Sequence, residues 1–120
     1  MRRGLLVVTA VVLASCASAP RVEPAAASKS QFEGATYAGE TVTLDRPTPG
    51  EEAYRVFQEG ATAFVTLQSV RSRADEIATA HCDSKGKAMH RLVETAARPP
   101  FVIGNFARVE LIFECVGRTR

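Results

Sequence analysis

Apolar and polar residues alternate most regularly near the carboxyl end of the chain, in residues 106–116 (FARVELIFECV). A period of two is typical of a strand with one buried face. Arg108, Glu110 and Glu114 are expected on the polar face. The apolar face is predicted to consist of Ala107, Val109, Leu111, Phe113 and Cys115.

Residues 69–86 (SVRSRADEIATAHCDSKG) follow the helical period instead. Ser69 or Ser72 is expected to cap the amino end of this helix, and Gly86 suits the left-handed position after its carboxyl end. One stripe of the helix is predicted to face the core, with Cys82 at its edge. The stripe consists of Val70, Ala74, Ile77, Ala78 and His81.

Two further strands are expected, at residues 53–59 (AYRVFQE) and 87–95 (KAMHRLVET), and the pattern leaves open which face of the first is buried. A weak strand at residues 36–44 would add an edge. The predicted fold class is α+β, a small and mostly antiparallel sheet of order β-α-β-β with one helix packed across it.

The amino end has a different pattern, with Arg2 and Arg3 followed by an apolar run over residues 5–14. The run is shorter than the roughly 20 residues that a membrane-spanning helix needs, so it indicates a cleaved signal peptide. The run ends at Leu13-Ala14-Ser15-Cys16, which resembles the lipobox of bacterial lipoproteins. The resemblance implies cleavage before Cys16 and lipidation of Cys16 by fatty acids such as palmitate.

An alternative is an ordinary secretory signal that is cut after Cys16, near Ala17-Ser18-Ala19. Because Ala17 is not the aspartate that retains many lipoproteins in the inner membrane, the resemblance implies an outer-membrane protein that faces the periplasm. The predicted division is a signal peptide over residues 1–15, a lipid anchor and flexible tether over 16–52, and a folded domain over 53–120. The tether is expected because residues 17–52 contain few large apolar side chains.

The charge balance removes one class of partner. The chain has 15 Lys and Arg against 13 Asp and Glu, and loss of Arg2 and Arg3 with the signal leaves 13 of each. A balanced surface gives no electrostatic footprint for nucleic acid, so no nucleic-acid partner is expected.

Cys82 and Cys115 remain besides the lipidated cysteine, and both patterns place them against the same core. In an oxidising compartment such a pair favours a disulfide, which would close a loop of about 34 residues. A redox-active pair is disfavoured, because Cys82 lies near the carboxyl end of its helix, where the helix dipole opposes a thiolate.

Other chemistry in this region is also disfavoured. His81-Cys82-Asp83 are consecutive on a helix and project about 100° apart, so they do not form a nucleophile with its base. A Cys₂His₂ set with His90 lacks the close ligand pairs of zinc sites. No metal, other cofactor or enzymatic activity is expected.

Residues 97–106 (ARPPFVIGNF) are too apolar for an ordinary exposed loop. Either they fold onto the core as a wide hairpin, or they expose an apolar patch that binds another envelope protein or the lipid surface. The candidate partner-binding residues are Phe101, Val102, Ile103 and Phe106. Residues 59–67 could line the same patch through Phe64, Val65 and Leu67.

The segment from YRVFQEGATAFVTLQSV to FARVELIFECV resembles a group of small uncharacterised proteobacterial lipoproteins, a likeness that implies no activity. The function predicted is therefore non-enzymatic, as a lipid-anchored cell-envelope protein with a protein-interaction or structural role. The alternative is a periplasmic small-ligand binding or stress-sensing module. Its pocket would lie beside Tyr54 and His90, on the sheet face opposite the helix.

Overall fold

The computed structural model describes residues 22–46 and 52–118, in which one α-helix packs against a five-stranded sheet. The predicted α+β class is confirmed. The predicted order β-α-β-β is wrong, because two strands precede it along the chain. The elements are β1 (Val22–Pro24), a short 3-10 helix (Ala25–Ala27), β2 (Gly39–Thr43), β3 (Ala53–Glu59), α1 (Leu67–Asp83), β4 (Lys87–Ala97) and β5 (Arg108–Gly117).

The strands of the sheet lie in the order β1-β3-β5-β4-β2, and each neighbouring pair is antiparallel. The strongly alternating β5 is central, between β3 and β4. The register of β4 against β5 shifts between Arg91 and Val93, which marks a β-bulge. The two strands missing from the predicted order, β1 and β2, form the edges.

The helix begins earlier than the two serines predicted as caps. Its N-cap is Thr66, whose side-chain oxygen accepts a hydrogen bond from the backbone N–H of Ser69 at 3.1 Å. At the other end Ser84 is the C-cap, and Gly86 has a φ of +68°, the left-handed conformation that glycine adopts without steric cost.

The hydrophobic core lies between α1 and one face of β3 and β5. The predicted apolar face of β5 is buried in it, and so is the predicted helical stripe except for Ile77 and His81, which are half-buried. β3 adds the two side chains whose direction the sequence left open, Tyr54 and Val56. Ile77 packs at the margin of this core. Its buried members are Tyr54, Val56, Val70, Ala74, Ala78, Cys82, Ala107, Val109, Leu111, Phe113 and Cys115.

The opposite face of the sheet is crossed by the chain between β1 and β2, at residues 25–38. The backbone N–H of Gln31 donates to Glu110 Oε2 at 2.7 Å. The ring of Phe32 lies edge-on to Phe57 and beneath the Arg108 guanidinium, which is 4.9 Å from the ring centroid. Arg108, Glu110 and Glu114, predicted to point away from the helix, do so and are nevertheless buried.

This crossing corrects the predicted tether. Residues 22–46, expected to belong to a flexible segment ending at residue 52, supply both edge strands and cover the second sheet face. Their attachment depends on backbone pairing and on polar contacts to buried charges, so they need few apolar side chains of their own. The weak strand expected at residues 36–44 is present as β2.

Candidate functional site

The predicted disulfide between Cys82 and Cys115 is confirmed. Their sulfurs are 2.04 Å apart, their Cα atoms are 5.2 Å apart, and both residues are buried between α1 and β5. The bond therefore joins the last turn of the helix to the central strand inside the core. Such a position supports a structural role for the bond.

The same bond removes both cysteines from the metal set considered above, because a disulfide offers no thiolate. His90, the remaining distant member, lies instead beside Asp45, with its Nε2 2.8 Å from Asp45 Oδ2. Within residues 22–46 and 52–118 no three His, Cys, Asp or Glu side chains are grouped as metal ligands.

His81 lies against aromatic rings, at the carboxyl end of α1. Its ring centroid is 4.6 Å from that of Tyr54 and 6.0 Å from that of Phe113. The hydroxyl of Tyr54 donates a hydrogen bond to Glu52 Oε2 and accepts one from Lys85 Nζ, which also lies 4.7 Å from the Tyr54 ring centroid. Tyr54 therefore links the start of β3 to the end of the helix, and the contacts of His81 are those of packing.

Burial lowers the pKa of His81 below its ordinary 6.5, and the positive charge of Lys85 lowers it further. The unfolded chain then binds more protons than the folded one as pH falls through 6.5. The contribution of His81 to stability is thus complete above that pH and is lost as the pH falls towards the depressed folded pKa. Between about pH 7.5 and 5.5, the free energy of unfolding measured in urea should fall with acidification in the wild type. In His81→Gln, which has no imidazole to protonate, we expect this fall to be smaller.

Imidazole NMR titration tests the cause directly. The His81 resonance should titrate below 6.5 in the wild type. Titration should move to a higher pH in Lys85→Gln, which removes the nearby positive charge. A wild-type midpoint at or above 6.5 would show that burial does not act on this ring as described.

The structure divides the four residues predicted to bind a partner. Phe101 packs against the core and Phe106 is half-buried, as the wide-hairpin alternative predicts. Val102 is 45% exposed and Ile103 is 90% exposed. The loop between β4 and β5 therefore turns one part of its apolar sequence inward and presents the tip to solvent.

A buried asparagine fixes this division. The Asn105 side-chain amide donates to the carbonyl oxygens of Arg98 at 3.0 Å and Pro100 at 2.9 Å, and its oxygen accepts from Arg108 at 3.0 Å. Two backbone hydrogen bonds join Val102 and Asn105 across the tip, each residue donating its N–H to the other's carbonyl. Between them Gly104 has a φ of +89°. The tip is thus held outward by a defined hydrogen-bond network.

A second exposed apolar side chain lies at the same end of the sheet. Phe64, in the loop from β3 to α1, is 94% exposed, whereas Val65 from the same loop and Leu67 at the start of α1 pack against the core. The two loops are joined where the Gly60 N–H donates to the Ala107 carbonyl at 2.8 Å. We call this surface, formed by residues 60–66 and 98–107 together with Tyr37, the loop end of the sheet.

Tyr37 completes the loop end, and the sequence alone gave no reason to select it. Its ring lies beside Gly104, and its carbonyl accepts a hydrogen bond from Arg108 at 3.3 Å. The residue is 44% exposed. The loop end therefore presents aromatic and aliphatic groups from three separate chain segments.

A shallow cavity of about 170 Å³ lies between the first turns of α1 and the strands β4 and β2. Ion pairs run along it, with Arg71 Nε 2.7 Å from Glu94 Oε1 and Arg98 Nε 3.8 Å from Glu40 Oε2. Cavities that bind small molecules usually measure about 300–1,000 Å³. This cavity is smaller, and its charges already have partners.

The pocket expected beside Tyr54 and His90 is not formed. Tyr54 pairs with Phe113 and His90 with Glu114, so the two side chains leave the sheet from opposite faces. Tyr54 is in the core beneath the helix.

Cys16, the predicted lipidation site, lies outside the described residues. In the part of the chain that the structure describes, no helix is both long enough and apolar enough to cross a membrane. Comparison with protein-family models, curated proteins and solved structures finds no match for this chain.

Proposed function

We propose that this chain is a lipid-anchored, non-enzymatic protein of the cell envelope, held in the outer membrane and facing the periplasm, with an interaction or structural role. The observation that carries the interaction role is the exposure of Phe64 and Ile103, at 94% and 90%, on two loops that a hydrogen bond joins. Single exposed apolar residues are ordinary, but several that converge on one end of a small domain indicate a contact surface.

The buried disulfide supports a location outside the cytoplasm. Thiols are kept reduced in the cytoplasm, whereas small domains in the periplasm commonly contain such bonds. The likeness of Leu13-Ala14-Ser15-Cys16 to a lipobox supports attachment by lipid, since several acyl chains together give stable anchoring to a bilayer.

The arrangement of charges supports a non-enzymatic role. The ionisable side chains along the cavity form ion pairs with one another, and Arg91 likewise pairs with Asp75. Catalysis needs a nucleophile or a base that converges with partners on a space for substrate. A loop end that exposes the apolar side chains of Phe64 and Ile103 is suited to contact instead.

Cell fractionation tests the anchor. In cells fed an alkyne fatty acid, we expect the full chain to become labelled and to sediment with outer membranes. Cys16→Ser should lose the label and appear in a soluble or uncleaved form. Ser18→Ala is the matched control and should behave like the wild type. An unlabelled, soluble wild-type protein would contradict the proposal and favour the ordinary secretory signal.

A further inference from the structure

The direction of β1 determines where the chain enters the domain. Val22 pairs with Val56 and Pro24 pairs with Tyr54, so β1 runs against β3. The amino end of β1, at Val22, therefore faces the end of the sheet at which β3 finishes, at Glu59. This is the loop end, where Phe64 and Ile103 are exposed.

The length of chain before β1 limits how far the domain can lie from an anchor. Only residues 17–21 separate Cys16 from Val22. At no more than about 3.6 Å per residue, the step from Cys16 to Val22 spans roughly 20 Å at most. Val22 pairs with Val56, which is three residues before the end of β3. At strand spacing, Val22 therefore lies roughly 10 Å from that end of the sheet.

These distances leave Cys16 at most about 10 Å beyond the loop end, which is comparable with the headgroup region of a bilayer leaflet. A lipid attached to Cys16 would bring that end of the sheet to the membrane. A flexible tether of residues 16–52 would have let the domain lie far from the membrane. Residues 22–46 belong to the fold, so they do not add to that distance.

We propose that the loop end is a membrane-contact surface on which the domain rests, with Phe64 and Ile103 inserted at the boundary between headgroups and acyl chains. The partner is the lipid surface itself, and this inference rests on the proposed acylation of Cys16. Apolar side chains of interfacial segments enter that boundary to a depth of about 5–10 Å. The exposed ring of Tyr37 lies at the same end, and tyrosine is enriched at this interface.

Tryptophan fluorescence tests the contact, because the sequence contains no tryptophan. The acylated full chain is reconstituted in vesicles of phosphatidylethanolamine with a minor fraction of phosphatidylglycerol. Phe64→Trp and Ile103→Trp place reporters at the loop end, where exposure makes both changes harmless to packing. The matched control is Lys87→Trp, because exposed Lys87 starts β4 at the opposite end of the sheet.

We expect the emission of both loop-end reporters to shift to shorter wavelength on reconstitution and to be quenched by lipids brominated near the headgroup. The Lys87→Trp emission should stay unchanged.

If vesicles retain the protein while all three reporters behave alike, membrane contact is overturned and the anchor stands. If Cys16 carries no lipid and the chain does not bind vesicles, the inference and the proposed function both fail. A shift that occurs only when envelope proteins are added, without quenching by brominated lipid, would overturn lipid as the partner in favour of a protein.

Discussion

Replacing both Cys82 and Cys115 with alanine is expected to lower the free energy of unfolding by about 3–4 kcal/mol. The two residues are 33 apart in sequence, and the bond restricts the unfolded chain by closing a loop of that length. The loss is large beside the roughly 5 kcal/mol total expected for a domain of this size. The double variant should therefore keep only about 1–2 kcal/mol of stability and unfold at a clearly lower temperature than its parent.

Urea unfolding followed by circular dichroism measures this effect, with Cys16→Ser in every sample to keep the chain soluble. Reductant supplies the matched control, because it should destabilise the chain with both core cysteines to a similar degree and leave the double variant unchanged. A double variant within about 1 kcal/mol of its parent would contradict a stabilising bond at this position.

Glu110→Ala is expected to cost about 2–4 kcal/mol, a large effect for a carboxylate that the sequence pattern assigns to a polar face. Glu110 is almost fully buried, and its Oε1 lies 3.5 Å from Arg55 Nε while its Oε2 accepts the Gln31 N–H. Alanine would leave the largely buried Arg55 guanidinium without a carboxylate and the Gln31 backbone N–H without its acceptor. The crossing segment, residues 25–38, would lose one of its ties to the sheet.

The matched control for this change is Glu76→Ala, which removes a carboxylate from the exposed side of α1 and should change stability by no more than about 0.5 kcal/mol. Hydrogen exchange adds a local readout, because Glu110→Ala should speed exchange of the Gln31 amide more than that of amides in α1. Equal stability of the two variants, or slow exchange at Gln31, would show that the crossing segment is not held through Glu110.

The disulfide could be predicted because two independent patterns lead to the same contact. The helical period places Cys82 beside Ala78, and strand alternation places Cys115 beside Phe113. A helix on a small sheet has one core to share, so two cysteines on the facing surfaces must lie near each other. Each pattern depends on apolar burial, which leaves a clear trace in the order of residues.

The crossing segment could not be predicted from the same signal. Its contacts are made by backbone groups and by buried charged residues such as Arg108 and Glu110, and strand alternation treats a charged residue as exposed. Phe32 and Tyr37 are the only large side chains with rings on the crossing, and two rings in a stretch rich in Ala and Ser look like a tether. The prediction that residues 16–52 are flexible fails for residues 22–46 for this reason.

The candidate surface was identified only in part. Composition marks residues 97–106 as unusually apolar, but it does not say that Asn105 fastens the loop and turns Phe101 inward while Ile103 points out. Tyr37 joins the surface only through the crossing segment. Exposure at the loop tip depends on the hydrogen bonds that shape the loop, and these follow from its three-dimensional geometry rather than from its composition.

The central claim is that an acylated Cys16 is linked by a few residues to a domain closed by the Cys82–Cys115 bond. Intact mass spectrometry of the protein extracted from envelopes tests it most directly. The account predicts a chain that begins at Cys16, carries fatty acyl groups on that residue, and gains the two hydrogens of one disulfide on reduction. A chain that begins elsewhere, lacks acyl groups, or has no mass change on reduction would contradict it.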